Sequence, residues 1–173
     1  SVAAAVELRS ILVDVGLDPF VKTSGGRGLH VFAAIRPEWD FIDARHAGIA
    51  AGRELERRLP DLVTTNWWKE ERGSAVFVDY NQMARDRTIA SAWSVRALAA
   101  PTVSVPVTWD ELGDVEPDEF TIATAPAVLA ARGDAWATLG DNPGGLAALL
   151  EMWDRDVAAG RGRRSRSSSR RAR

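Results

Sequence analysis

Nine consecutive residues, Lys22-Thr23-Ser24-Gly25-Gly26-Arg27-Gly28-Leu29-His30, gather a serine hydroxyl, three glycines, two cations and an imidazole. Glycines let a backbone turn tightly and bring its N–H groups up to an anion, and the serine, the cations and the ring add further donors. The chemistry such a set can do is the holding of a polyphosphate. The loop lies between two β-like runs, Pro19–Lys22 and Leu29–Ile35, so His30 falls at the start of a strand. The competing reading is a plain glycine turn with a half-buried histidine satisfied by a backbone carbonyl.

Further along, Val76-Phe77-Val78-Asp79-Tyr80-Asn81-Gln82 is a β-branched and aromatic run that delivers one carboxylate at its end. A carboxylate held at a strand end beside a phosphate loop suits Mg²⁺ or Mn²⁺, which take hard oxygen ligands together with substrate phosphates. Asp79 read alone is equally a turn former after a strand. Arg72 precedes it by seven residues and Arg96 follows it by seventeen. The planar guanidinium donates two parallel hydrogen bonds and keeps its charge at any working pH, which suits phosphate. Glu70 and Glu71 offer Arg72 an alternative role in a surface ion pair. Lys22 and Arg27 read as solvated strand-end cations.

The elements that must position these groups follow from periodicity. Leu8, Ile11, Leu12 and Val15 have helical spacing, with Gly16 as the stop. A second apolar stripe runs from Asp40 through Ala44, Ala47, Ala51, Leu55 and Leu59 to Pro60. Leu62–Thr65, Ala75–Tyr80, Thr88–Ala90, Trp93–Arg96 and Val103–Val107 read as strands, and Trp67–Arg72 as a short helix or wide turn. Thr108-Trp109-Asp110-Glu111 has capping-box spacing, and helices are expected over Ala125–Arg132 and Leu146–Val157. The alternation lacks strict βαβ order, so the expected class is α+β with a mixed sheet. Most of the tryptophans read as core or helix-packing residues rather than base-stacking ones, and His46 as solvent-facing.

At 173 residues the chain suffices for one core and not for two full domains. No run of eighteen apolar residues marks a membrane span, and the first residues have no secretory pattern. With no cysteine and two histidines, disulfides, thiolate metal sites and a zinc cluster are excluded, and a reducing cytoplasm is the default location. The net charge of −2 hides a division: residues 161–173 hold seven arginines and four serines, while the rest of the chain has 24 acidic residues against 15 basic ones. The expected organisation is a domain over residues 1–158 and a disordered Arg/Ser-rich tail over 159–173. The tail reads as a solvated terminus or as a salt-sensitive nucleic-acid arm.

From Val6 to Gly140 the chain resembles the polymerase domain of bacterial ATP-dependent DNA ligase D and its stand-alone relatives, in the archaeo-eukaryotic primase superfamily. The resemblance rests on Phe20-Val21-Lys22-Thr23-Ser24-Gly25-Gly26-Arg27-Gly28-Leu29-His30, Trp67-Trp68-Lys69-Glu70-Glu71-Arg72-Gly73, Asp79-Tyr80-Asn81-Gln82, Ser94-Val95-Arg96 and Pro106-Val107-Thr108-Trp109-Asp110-Glu111-Leu112, in that order. It implies a primase-polymerase-like nucleotidyltransferase fold, incomplete at the N-terminus. The implied activity is template-directed nucleotide addition at DNA ends in non-homologous end joining. The partners implied are nucleoside triphosphates, DNA ends, Ku and an ATP-dependent DNA ligase, and the implied cofactor is Mn²⁺ or Mg²⁺. By the same resemblance Asp79 and His30 are catalytic residues, Asp79 a metal ligand, and Ser24, His30, Arg72 and Arg96 nucleotide-binding residues. The family holds its two metals with three carboxylates, and the expected Asp-x-Asp pair is not found between Ser1 and Lys22. The chain as it stands is therefore expected not to extend a primer. The alternatives are a non-catalytic nucleotide- or DNA-end-binding remnant and an unrelated phosphate-binding α+β domain.

Overall fold

The computed structural model describes residues 1–116 and 118–160. Its elements are α1 (Val2–Asp14), β1 (Pro19–Thr23), β2 (Leu29–Ala33), α2 (Phe41–Arg58), β3 (Val63–Thr64), β4 (Val76–Phe77), β5 (Pro106–Val107), α3 (Ala125–Arg132) and α4 (Ala147–Ala158). Short 3-10 turns lie at Lys69–Glu71 and Tyr80–Met83. The class is α+β with mixed strand pairing, as expected. The sheet of three strands runs in the order β2-β1-β5 and is antiparallel, while β3 and β4 form a separate parallel pair.

α1 is the hub of the core. Ala5 packs with Val21, Val105 and Leu112; Leu12 packs with Ala47, Ala51 and Leu149; Ala4 and Ile11 pack with Leu55 and Val63. Alanines at these positions let neighbouring elements approach the helix closely on several sides. The helix ends at Gly16, whose φ of +79° is a left-handed stop that a side chain would resist. α2 begins at a full capping box, with the Asp40 carboxylate accepting from the Ile42 and Asp43 N–H groups and Asp43 accepting from the Asp40 N–H. α4 lies on α2, held partly by Asp156, which is buried and accepts from Arg57 Nη1 at 3.0 Å.

Several expectations shift. Thr88–Ala90 forms no strand, and Trp93–Arg96 contributes only the isolated bridge Val95↔Val103. Ala75–Tyr80 shortens to Val76–Phe77, because β4 has only the two-residue β3 to pair with. His46 is not solvent-facing: its ring stacks on Trp153, centroids 4.2 Å apart and 9° from parallel. The partner is supplied by α4, about a hundred residues away in the chain. Residues 161–173, the core of the expected tail, lie outside the described residues.

Candidate functional site

The site is built on the β1–β2 hairpin. β1 is the middle strand, and in its ladder Lys22 lies directly opposite His30 and Thr23 opposite Leu29. Directly opposed residues project to the same face of a sheet, so the register places the lysine and the imidazole side by side. The loop between them folds around Ser24. Its Oγ accepts from the N–H groups of Gly26 and Gly28, each at 3.1 Å, and its N–H donates to Gly28 O at 2.9 Å. Both of those side-chain contacts use the oxygen as acceptor, so the hydroxyl proton remains available to a ligand.

A second segment clamps the loop from the side. Ser104 Oγ donates to Thr23 O at 2.6 Å, Thr102 Oγ1 donates to Gly25 O, and Val105 N–H donates to Thr23 Oγ1 at 2.9 Å. Lys22 Nζ donates to Ser104 Oγ, and the lysine is fully buried. The same segment carries Arg96: the N–H of Arg96 donates to Thr102 O at 2.8 Å, and that of Trp93 to Ser104 O at 2.7 Å. Arg96 therefore lies across the glycine loop. A Cβ on Gly25, whose φ is +68°, would stand 2.5 Å from Arg96 Cγ. Gly25 is thus required both by its left-handed backbone and by the arginine stem on top of it.

The electrostatics of the loop favour an anion. Neither Lys22 nor Arg96 forms an ion pair among the described residues. Burial, aided by the Arg96 charge, pulls the Lys22 ammonium down from 10.5 to about 8. Burial likewise pulls His30 down from 6.5 to about 4, with Lys22 and Arg96 adding to the effect and Asp79 opposing it. His30 is therefore neutral at pH 7, and its buried Nδ1 has no hydrogen-bond partner. A buried polar atom left unpaired beside two unneutralised cations is costly unless a ligand completes it. An oxyanion placed here would take hydrogen bonds from the ring, the serine and the guanidinium, and would relieve the repulsion among the cations.

Asp79 sits just beyond β4, exposed, as the N-cap of the Tyr80–Met83 turn. Its Oδ1 accepts from Asn81 N–H and its Oδ2 from Gln82 Nε2, both at 3.1 Å. It is near enough to His30 to act on the ring's charge. Among the described residues no group of three or more His, Cys, Asp or Glu side chains converges on one point. A single carboxylate already engaged by its own turn does not fit a two-ion centre.

Arg72 is placed differently from Arg96. Its Nε donates to Asn66 O at 3.0 Å and its Nη2 to Trp67 O, and its guanidinium carbon lies 3.4 Å from the centroid of the Phe77 ring. In this arrangement Arg72 fixes the turn before β4, whereas Ser24, His30, Arg96 and the charge of Asp79 converge. Lys22 belongs with the convergent set, contrary to its reading as a solvated cation. The signal for it was available, since it interrupts an apolar strand directly before the loop. Ser104 and Thr102 carried no such signal, because their role depends on a contact about eighty residues away. A cleft of about 370 Å³ against Val107, Phe120 and Arg132 is rimmed by Glu111, Asp114 and Glu119, carboxylates that would repel an anion.

The fold and the site define an α+β domain whose glycine loop is clamped between a buried lysine and a crossing arginine. The chain belongs to the LigD primase-polymerase domain family, whose model it matches over residues 1–136. It is 40% identical over 116 residues to the multifunctional non-homologous end joining DNA repair protein LigD of Mycobacterium tuberculosis, covering 65% of this chain and 15% of that protein. It is 36% identical over 115 residues to the corresponding Mycolicibacterium smegmatis protein, covering 65% and 15%. The Pseudomonas aeruginosa LigD is 30% identical over 131 residues, covering 74% and 16%. The polymerase domain from Mycobacterium tuberculosis ligase D, solved in complex with DNA, superposes with a TM-score of 0.75 at 30% identity, covering 82% of this chain and 50% of that one. The chain thus spans about half of that solved polymerase domain and a small part of the curated relatives. No helix among the described residues is long and apolar enough to cross a membrane.

Proposed function

We propose that this chain is the nucleoside-triphosphate-holding part of a LigD-type primase-polymerase, acting on DNA ends in non-homologous end joining. The observation that carries the reading is the pair of unneutralised cations, Lys22 and Arg96, set around a glycine loop and the unpartnered Nδ1 of His30. In this reading Ser24, His30 and Arg96 contact the phosphates and Lys22 supplies buried charge beneath them. Arg72 joins them only if its turn rearranges. The domain comprises residues 1–158, with 159–173 as its tail.

The Mn²⁺ or Mg²⁺ chemistry of nucleotidyl transfer would be supplied by ions that the single carboxylate Asp79 does not hold by itself. The role assigned to these residues is therefore to bind and orient the triphosphate. Asp79 favours the protonated form of the ring, and His30 presents its unpartnered nitrogen to a phosphate oxygen. Asp79 as metal ligand, Ku and an ATP-dependent ligase as partners, and a cytoplasmic setting belong to the same proposal. The lone carboxylate favours one further reading, a nucleotide- or end-binding chain without catalysis of its own.

Calorimetric titration with a nucleoside triphosphate, beside orthophosphate, tests the proposal. Binding of the nucleotide in clear preference to orthophosphate is expected. Equal affinity for the two would place the chain among simple phosphate-binding domains. Primer extension by this polypeptide would overturn the non-catalytic reading.

A further inference from the structure

Of the seven tryptophans, five have seats for their rings. Trp109 and Trp136 donate through Nε1 to Pro19 O and Val21 O, Trp153 stacks on His46, and Trp93 and Trp39 pack against the core. Trp67 and Trp68 do not: they are 48% and 63% exposed, side by side on one tight turn. An exposed aromatic pair is costly in water and is unusual in the absence of a ligand.

The turn that carries them is braced by Arg72. Arg72 bonds the carbonyls of Asn66 and Trp67 and lies against Phe77, while Glu71 N–H donates to Trp68 O at 3.1 Å. Phe77, under the Arg72 guanidinium, ties that backbone to the strand ending beside Asp79. Lys69, the next residue, is exposed and forms no ion pair among the described residues. Glu70 and Glu71 follow at once, so the patch is two rings with a cation and not a broad apolar surface of the kind a protein partner would cover.

We propose that Trp67 and Trp68 form a stacking platform for unpaired bases of single-stranded DNA that passes the Asp79 edge of the nucleotide site. The inference rests on the proposed function, which brings a DNA end to that edge. Two indole faces with a neighbouring ammonium suit bases of any identity, because every base has a π-face and the cation meets the backbone. Stacking on such rings is sequence-tolerant and contributes without neutralising phosphates.

The test is fluorescence anisotropy of the full chain with a labelled single-stranded oligothymidylate over a range of salt. Replacing both rings (Trp67→Leu with Trp68→Leu) is expected to weaken binding about tenfold or more, on the scale of base–aromatic stacking. The double Phe variant is expected to keep most of the affinity. The slope of log affinity against log salt is expected to stay the same in both, since the rings touch no phosphate. Parent-like binding by the Leu variant would overturn the platform, as would equal losses in the Leu and Phe variants or a parent chain that ignores the oligonucleotide. Triphosphate titration of the same variants separates the two proposals. Unchanged nucleotide binding beside an unaffected oligonucleotide affinity removes the platform and leaves the nucleotide site standing.

Discussion

Lys22 and His30 stand opposite each other in the β1–β2 ladder, a fully buried ammonium beside an imidazole whose Nδ1 has no partner. Burial and the Lys22 charge make the protonated imidazole harder to keep, and the Arg96 charge presses on both residues. Such a pairing costs stability by itself, and a neighbouring anion would offset that cost.

The first consequence is a stability that depends on pH. His30 has a folded value of about 4 against 6.5 in the unfolded chain, so the unfolded state binds more protons between these values. Its contribution is present above pH 6.5 and is lost as the pH falls toward 4. Lys22, at about 8 against 10.5, likewise makes stability rise with pH across that upper window. Denaturant midpoints measured across pH should show the acid loss reduced in His30→Phe. An unchanged acid profile in that variant would mean that His30 is not held neutral.

Gly25 and Gly16 both adopt positive φ, but only Gly25 lies under another side chain. Alanine at either position should cost about 1–2 kcal/mol of stability for the left-handed backbone. Gly25→Ala alone should also weaken triphosphate binding, because its Cβ would displace the Arg96 stem. Equal nucleotide affinity in the two variants would show that Arg96 does not need its place over the loop.

Arg72 and Arg96 separate by readout. Arg96→Ala should weaken nucleotide binding about tenfold or more, the scale of one charge-assisted contact, and leave the fold intact. Arg72→Ala should instead loosen the turn at residues 66–72, seen as faster proteolysis there and a stability loss of about 1–3 kcal/mol. Arg72→Lys should not restore it, since an ammonium cannot bond two carbonyls and lie flat on Phe77. If Arg72→Ala costs nucleotide affinity with no change in proteolysis, the guanidinium reaches the phosphates.

Much of this architecture was legible in the chain. The Gly16 stop ends the first helix, the apolar stripe from Asp40 to Pro60 covers the second, and Ala125–Arg132 follows its own pattern to the residue. The phosphate loop was legible because its glycines, serine and histidine are contiguous. Thr88–Ala90 misled because β-branched residues favour a strand only where a partner strand exists, and none pairs with it. Lys22 misled because residue type argues for exposure, while its burial is decided by Ser104, eighty-two residues on. His46 repeats the lesson, since its partner Trp153 is set by tertiary packing.

The central claim is that a triphosphate completes the unpaired cluster around His30, and an NMR titration of the His30 imidazole tests it most directly. Only two histidines are present, and the ring of the other, His46, stacks on Trp153, so the signals can be assigned by substitution. The free chain should show His30 titrating near the value of about 4 set by burial and its cationic neighbours. With saturating nucleoside triphosphate the added negative charge should move that titration upward. A His30 titration that nucleotide leaves unchanged, or one already at 6.5 in the free chain, would contradict the account.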